Sequence, residues 1–159
     1  MQFKQADMLA GLRKEFVARM MEVGQKATYD QGTMLFSQGD PARRFYILVK
    51  GRVRLSIGDQ KNSVYTVNHG GEAFGWSSLV GGINYTASAV CIASSTLIAF
   101  DRDQMDMLLS GDHESAALLY KNLARTLGNR LVSVSSQLAD QLSFEDKISY
   151  GTGQIQETV

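Results

Sequence analysis

The chain has one cysteine, two histidines and no excess of charge of either sign among its 159 residues. A lone Cys91 excludes an intramolecular disulfide, an all-cysteine iron–sulfur cluster and a cysteine-based zinc site, and it fits a reducing compartment. His69 stands in a turn and His113 begins a helix, with no His-x-His pattern. The clustered His and carboxylate ligands of a metal enzyme are therefore missing, and the chain reads as a non-enzyme with no metal and no cofactor. Sixteen basic residues balance sixteen acidic ones, for a pI near 6.7, which excludes the basic stripe of a dedicated nucleic-acid binder. No stretch approaches the roughly 18 apolar residues of a membrane span, and MQFKQADMLAGLRKEF lacks the apolar core of a secretory signal. These absences describe a soluble, cytoplasmic protein.

What is present falls into three zones. Residues 6 to 24 place Leu9, Leu12, Phe16, Val17 and Met20 at helical spacing, closed by Gly24. From about 28 to 100 the pattern changes to short strands. Phe45, Ile47 and Val49 alternate with Tyr46, Leu48 and Lys50, which predicts a strand buried on both faces. Val53, Leu55 and Ile57 alternate with Arg52, Arg54 and Ser56, which predicts a half-exposed one. Further strands are expected at 65–67, 86–92 and 96–100, with turns at Gly32, Gly39-Asp40-Pro41, Gly58-Asp59 and Ser94-Ser95. Many short strands closely punctuated by turns predict a mainly β sandwich or jelly-roll barrel.

The third zone is helical. Asp103 is placed to cap a short helix through Leu109, and Asp112 a longer one from His113 to about Leu142. Along the latter, Ala117, Tyr120, Ala124, Leu127, Leu131, Val134 and Leu138 recur at alternating spacings of three and four, an a/d seam. Thirty helical residues extend about 45 Å, longer than such a barrel covers. The first two turns are expected to pack on the barrel, and Leu127 to Leu138 to face a parallel copy in a homodimer. The domain is expected to span 1–142, followed by a polar tail, 143–159.

One stretch carries chemistry: GEAFGWSSLVGGINYTASAV, Gly71 to Val90. A glycine-flanked turn, small hydroxyl residues and a return to a strand have the form of an anion-binding loop, with no cation inside it. Together with MLFSQGDPARRFYILVKGRVRL (34–55), YTASAV (85–90) and LYKNLARTLGNRL (119–131), it resembles the cyclic-nucleotide-binding domain family, in its catabolite-activator type, over residues 9 to 140.

The resemblance implies a β jelly-roll barrel (double-stranded β-helix) with N-terminal helices and a long C-terminal dimerisation helix. It implies a phosphate-binding cassette at Gly71, Phe74, Gly75, Trp76, Ser77, Ser78, Tyr85, Thr86 and Ala87. Phe74 would anchor the loop, and Gly75, Ser77 and Ser78 would present backbone N–H groups. In the family a Glu accepts from the ribose and an Arg pairs with the phosphate; this chain has Trp76 and Tyr85 there. Glu72, on the entry to the turn, reads as structural. Losing the Arg–phosphate pair removes about 1.5–3 kcal/mol, and an unpaired ribose hydroxyl costs about 1–3 kcal/mol more. Cyclic AMP affinity is then about a hundred- to ten-thousand-fold below that of a complete site. Trp76 suits either stacking on a ligand or filling the pocket. Arg130, where the family's helix meets its ligand, suits either a ligand contact or an interhelical ion pair. Arg43 and Arg44 read as surface charge, like Arg52 and Arg54.

A haem sensor, with Cys91 or His113 as axial ligand, is a rival reading, but Cys91 lies mid-strand between Val90 and Ile92, where a buried thiol is the ordinary occupant. A helix-turn-helix DNA reader needs more than the roughly seventeen residues after Leu142. The sequence therefore leads to a stand-alone regulatory module. Its barrel either senses a small nucleotide-like or anionic ligand, with weak or no cyclic AMP binding, or forms a ligand-independent homodimeric scaffold for a partner protein.

Overall fold

The computed structural model describes residues 7–58 and 63–141. Residues 1–6, Asp59 of the expected Gly58-Asp59 turn, Leu142 and the expected polar tail lie outside the described residues. The chain divides into a unit of Met1–Leu127 and a unit of Gly128–Val159.

Eight strands build the first unit: β1 (Gln25–Tyr29), β2 (Met34–Phe36), β3 (Arg44–Lys50), β4 (Val53–Ser56), β5 (Ser63–Val67), β6 (Ala73–Phe74), β7 (Ser88–Cys91) and β8 (Ser95–Asp101). They form two antiparallel four-stranded sheets, ordered β1-β8-β3-β6 and β2-β7-β4-β5, a mainly β, jelly-roll-like fold. β3 shows why a strand apolar on both faces was needed. Tyr46 and Leu48 join the cluster of Val53, Leu55 and Phe74. Phe45 and Ile47 join a second cluster with Phe16, Met20, Met105 and Leu119 from the helices. Successive strand residues point to opposite faces, so one strand supplies both cores. Phe16 and Met20 are fully buried, and each such side chain stabilises the fold by about 1.5–3 kcal/mol.

The helices are α1 (Lys14–Val23), α2 (Arg102–Gly111) and α3 (His113–Gln141); none among the described residues is long and apolar enough to cross a membrane. The single helix expected over 6–24 is two elements, a 3-10 turn at Asp7–Leu9 and then α1. Gly11 separates them at φ 74°, a left-handed conformation that ends a helix. α2 is capped by Asp101, whose carboxylate accepts from the Asp103 N–H at 3.0 Å, rather than by Asp103. β4 is less exposed than expected: Ser56 is buried, and Ile57, past the end of β4, is exposed; opposite Leu55 and Ser56, Val64 is an extra residue of β5.

Asp112 caps α3 as expected, accepting from the Ser115 N–H at 3.0 Å and the Ser115 hydroxyl at 2.9 Å. Arg13 donates to the same carboxylate at 2.5 Å. Ser115, Ala116, Leu119, Asn122 and Leu123 form the buried face of α3, so packing continues past the two turns expected. Asn122 holds the N-terminal turn through the Met8 and Ala10 carbonyls at 3.2 and 2.8 Å. Of the seam residues, Ala117, Tyr120 and Ala124 are exposed and Leu127 is half-buried against the helical cluster. Leu131, Val134 and Leu138, in the second unit, are exposed by 66%, 36% and 49%.

Candidate functional site

The cassette begins where β5 ends. Gly71 donates to the Leu48 carbonyl at 2.7 Å. The Glu72 carboxylate accepts from the Tyr65 hydroxyl (2.6 Å) and the Asn68 and His69 N–H groups (2.9 and 2.8 Å), so it braces the turn. Phe74 is fully buried between the sheets. Gly75 follows at φ 76° and ψ 22°, and a Cβ there would lie 3.1 Å from the Arg44 carbonyl oxygen. Positive φ and this close approach to β3 both require glycine. Trp76–Ser78 is one 3-10 turn, with Ser77 and Ser78 buried. Trp76 is half-buried and packs against both apolar clusters.

Tyr85 is 6% exposed. Its ring stacks on Phe36 with centroids 3.8 Å apart and planes 15° from parallel. Phe36 in turn contacts Tyr46 and Phe74, whose rings stack at 5.2 Å. Four aromatic rings thus fill the space between the sheets behind the cassette. The Tyr85 hydroxyl donates to the Arg44 carbonyl at 2.5 Å and accepts from the Arg44 N–H at 3.0 Å. It is committed to the protein backbone. Burial pushes the Tyr85 hydroxyl up and that of Tyr46 to about 12, so both remain neutral. Thr86 is exposed and Ala87 half-buried, and the strand expected from 86 starts at Ser88.

Two ties to the helices were not legible in the sequence. The Tyr120 hydroxyl of α3 donates to the Leu79 carbonyl at 3.1 Å. Arg102, at the start of α2, donates to the Gly82 carbonyl at 3.0 Å. Both grip the cassette by its backbone. A groove of about 270 Å³ lies beside Tyr85. Phe36, Tyr46, Tyr85, Asp40, Arg43 and Arg44 are among the residues that line it. Arg130 lies on α3 in the second unit and Arg52 is exposed on the turn before β4, where Arg54 is half-buried. Cys91 is fully buried on β7, where burial raises its thiol pKa, the environment of an inert packing residue. Among the described residues, no three His, Cys, Asp or Glu side chains are grouped to hold a metal ion.

Comparison with known proteins gives the geometry a context. The profile of the family described as "Cyclic nucleotide-binding domain" matches residues 26–112. The chain is 32% identical over 146 residues to the cyclic AMP receptor protein of Thermus thermophilus, covering 90% of this chain and 65% of that one. It thus spans a little under two-thirds of the length of that relative. The crystal structure of the Thermus thermophilus catabolite activator protein superposes with a TM-score of 0.67 at 28% identity, covering 85% of this chain and 62% of that one. The N-terminal domain of a transcriptional regulator from Streptomyces coelicolor superposes with a TM-score of 0.67 at 25% identity, covering 80% and 92%.

Proposed function

The chain belongs to the cyclic nucleotide-binding domain family, and from that premise we propose that it is a regulatory ligand-sensing module that does not hold cyclic AMP in the family's usual manner. One observation carries the reading: the Tyr85 hydroxyl is consumed by the Arg44 backbone and its ring by the stack on Phe36. The position that the resemblance assigns to a phosphate-binding cation is therefore occupied by a core side chain. With Trp76 in place of the ribose-binding acid, cyclic AMP affinity falls about a hundred- to ten-thousand-fold.

What is retained is the linkage outward. A ligand that shifts the loop displaces the carbonyls gripped by Tyr120 and Arg102. It thereby favours one setting of the α2–α3 corner at Gly111–Asp112 over another. The exposed Leu131, Val134 and Leu138 suit a parallel helix pair between two copies, which would read that setting.

A second reading, a ligand-independent homodimeric scaffold for a partner protein, is favoured by the aromatic filling between the sheets. Thermal unfolding against a millimolar panel of cyclic AMP, cyclic GMP, linear nucleotides, acyl-CoAs and aromatic acids decides between them. A ligand at a hundred times its dissociation constant adds about 2.7 kcal/mol and raises the melting midpoint by several degrees. A shift with any compound supports the sensor. Silence across the panel rejects it in favour of the scaffold.

A further inference from the structure

We propose that the groove beside Tyr85 is an anion site for a small planar compound bearing a terminal phosphate, of the linear nucleoside monophosphate class. Its regulatory meaning rests on the sensing reading above; its occupancy is tested separately.

Two adjacent arginines, Arg43 and Arg44, stand at the entry to β3 and both line the groove. Their backbones are fixed. The Arg43 carbonyl accepts from the Arg102 N–H at 2.8 Å, and both polar groups of Arg44 are held by the Tyr85 hydroxyl. Neither guanidinium takes part in a salt bridge among the described residues. The residue at the expected cation position thus grips the strand end that carries two cations.

The chemistry selects the ligand. Two guanidinium forks match an oxyanion with several acceptor oxygens. A terminal phosphate carries nearly two negative charges at neutral pH, whereas a cyclic diester carries one, so a pair of arginines favours the linear compound. Asp40 adds an acceptor at the same groove. One of its carboxylate oxygens accepts from the Ser37 N–H at 2.9 Å. Phe36, Tyr46 and Tyr85, each 6–7% exposed, add an apolar wall to the same groove. A volume of about 270 Å³ lies just below the usual range for small-molecule pockets, the scale of a small ligand. The occupant would bear on Tyr85, whose own N–H and carbonyl pair with Asp40 and Gly39 at 2.9 Å each. Ligand, groove wall and cassette exit are thereby one connected piece.

The test is calorimetric titration of AMP, cyclic AMP, inorganic phosphate and benzoate into the full chain. It is repeated on Arg43→Ala/Arg44→Ala and on a control, Arg125→Ala, which removes an exposed arginine of α3. Both groove arginines are exposed, so the double variant is expected to keep the wild-type melting midpoint; if it does not, the two single variants replace it. AMP should bind the wild type and the control alike and lose about a hundredfold or more in the double variant, roughly tenfold for each guanidinium. Cyclic AMP, inorganic phosphate and benzoate should each bind more weakly than AMP. Equal AMP affinity in the double variant overturns the site and leaves the sensing reading standing. Cyclic AMP, phosphate or benzoate binding as tightly as AMP overturns the ligand class. No AMP binding at millimolar concentration, while another compound raises the melting midpoint, overturns the groove alone; silence from every compound in the wider panel overturns both.

Discussion

Removing one oxygen from Tyr85 tests the site reading at its narrowest point. β6 has only two residues and pairs with β3 at Tyr46 and Ile47, so β3 runs on past its neighbour. Arg44, near that end, directs its N–H and carbonyl to the edge that β6 leaves open, and the Tyr85 hydroxyl satisfies both, at 3.0 and 2.5 Å. Tyr85→Phe keeps the ring and its 3.8 Å stack on Phe36 but strips both partners from a half-buried strand end. Leaving such groups unsatisfied costs about 1–3 kcal/mol, which lowers the melting midpoint by several degrees. Tyr85→Ala should cost about 3–5 kcal/mol, since it also empties the ring's place in the core. Urea unfolding followed by circular dichroism gives the stability. The emission of Trp76, the chain's one tryptophan, reports the cassette in the same titration. A Tyr85→Phe midpoint equal to wild type, at unchanged slope, would falsify the claim that the hydroxyl serves the fold and would return it to the ligand.

Three further predictions test the surrounding parts. The Asp112 carboxyl is held down at about 2, first by the Ser115 N–H and then by the Ser115 hydroxyl and Arg13. Its folded pKa lies below the unfolded value of about 3.9, so its contribution is complete above that value and is lost as pH falls toward 2. Between about pH 5 and pH 2 the wild-type melting midpoint should therefore fall further than that of Asp112→Asn; parallel curves would show that the carboxylate is not linked to folding. Leu131→Asp places a charge on the exposed seam and should convert a dimer to a monomer in sedimentation, and an unchanged mass would reject the seam. Tyr85→Arg with Trp76→Glu should gain cyclic AMP affinity by about a hundred- to ten-thousand-fold. If calorimetry of the folded double variant detects no gain, the loop backbone does not have the anion-binding geometry.

The fold was legible where one periodicity dominated. β3 announced burial on both faces because Phe45 to Val49 is unbroken by a polar residue, and Asp112 announced α3 because an acid directly preceded a long helical repeat. Local signals misled where two candidates stood close together. Asp101 and Asp103 are both placed to cap α2, and the choice depends on where β8 ends. Gly11 interrupted an apolar repeat that otherwise continues through it. At the site, the residue types were readable and their orientation was not. Whether Tyr85 faces a ligand or the core is decided by Phe36 and by the short reach of β6, neither adjacent in sequence. The same holds for the Tyr120–Leu79 bond, which joins residues 41 apart.

The manner in which the helices hold the cassette explains how its side chains can change without loss of the linkage. Tyr120 and Arg102 bond to the Leu79 and Gly82 carbonyls, not to side chains. Those carbonyls are placed by backbone geometry: Leu79 donates to Trp76 and Gly82 to Ser77, each at 2.8 Å, and Gly75 sets the entry. Trp76 and Tyr85 can therefore depart from the family's acid and cation while the atoms gripped by the helices stay where the turn puts them. On the sensing reading, the side chains set which ligand is chosen and the carbonyls carry its effect to the helices. A loop that had lost all regulatory use would gain from shortening, since ordering each backbone residue costs about 1–2 kcal/mol. Its two helix ties are the contacts that a shorter loop would forfeit, which is the physical reason to favour a rebuilt sensor over a scaffold.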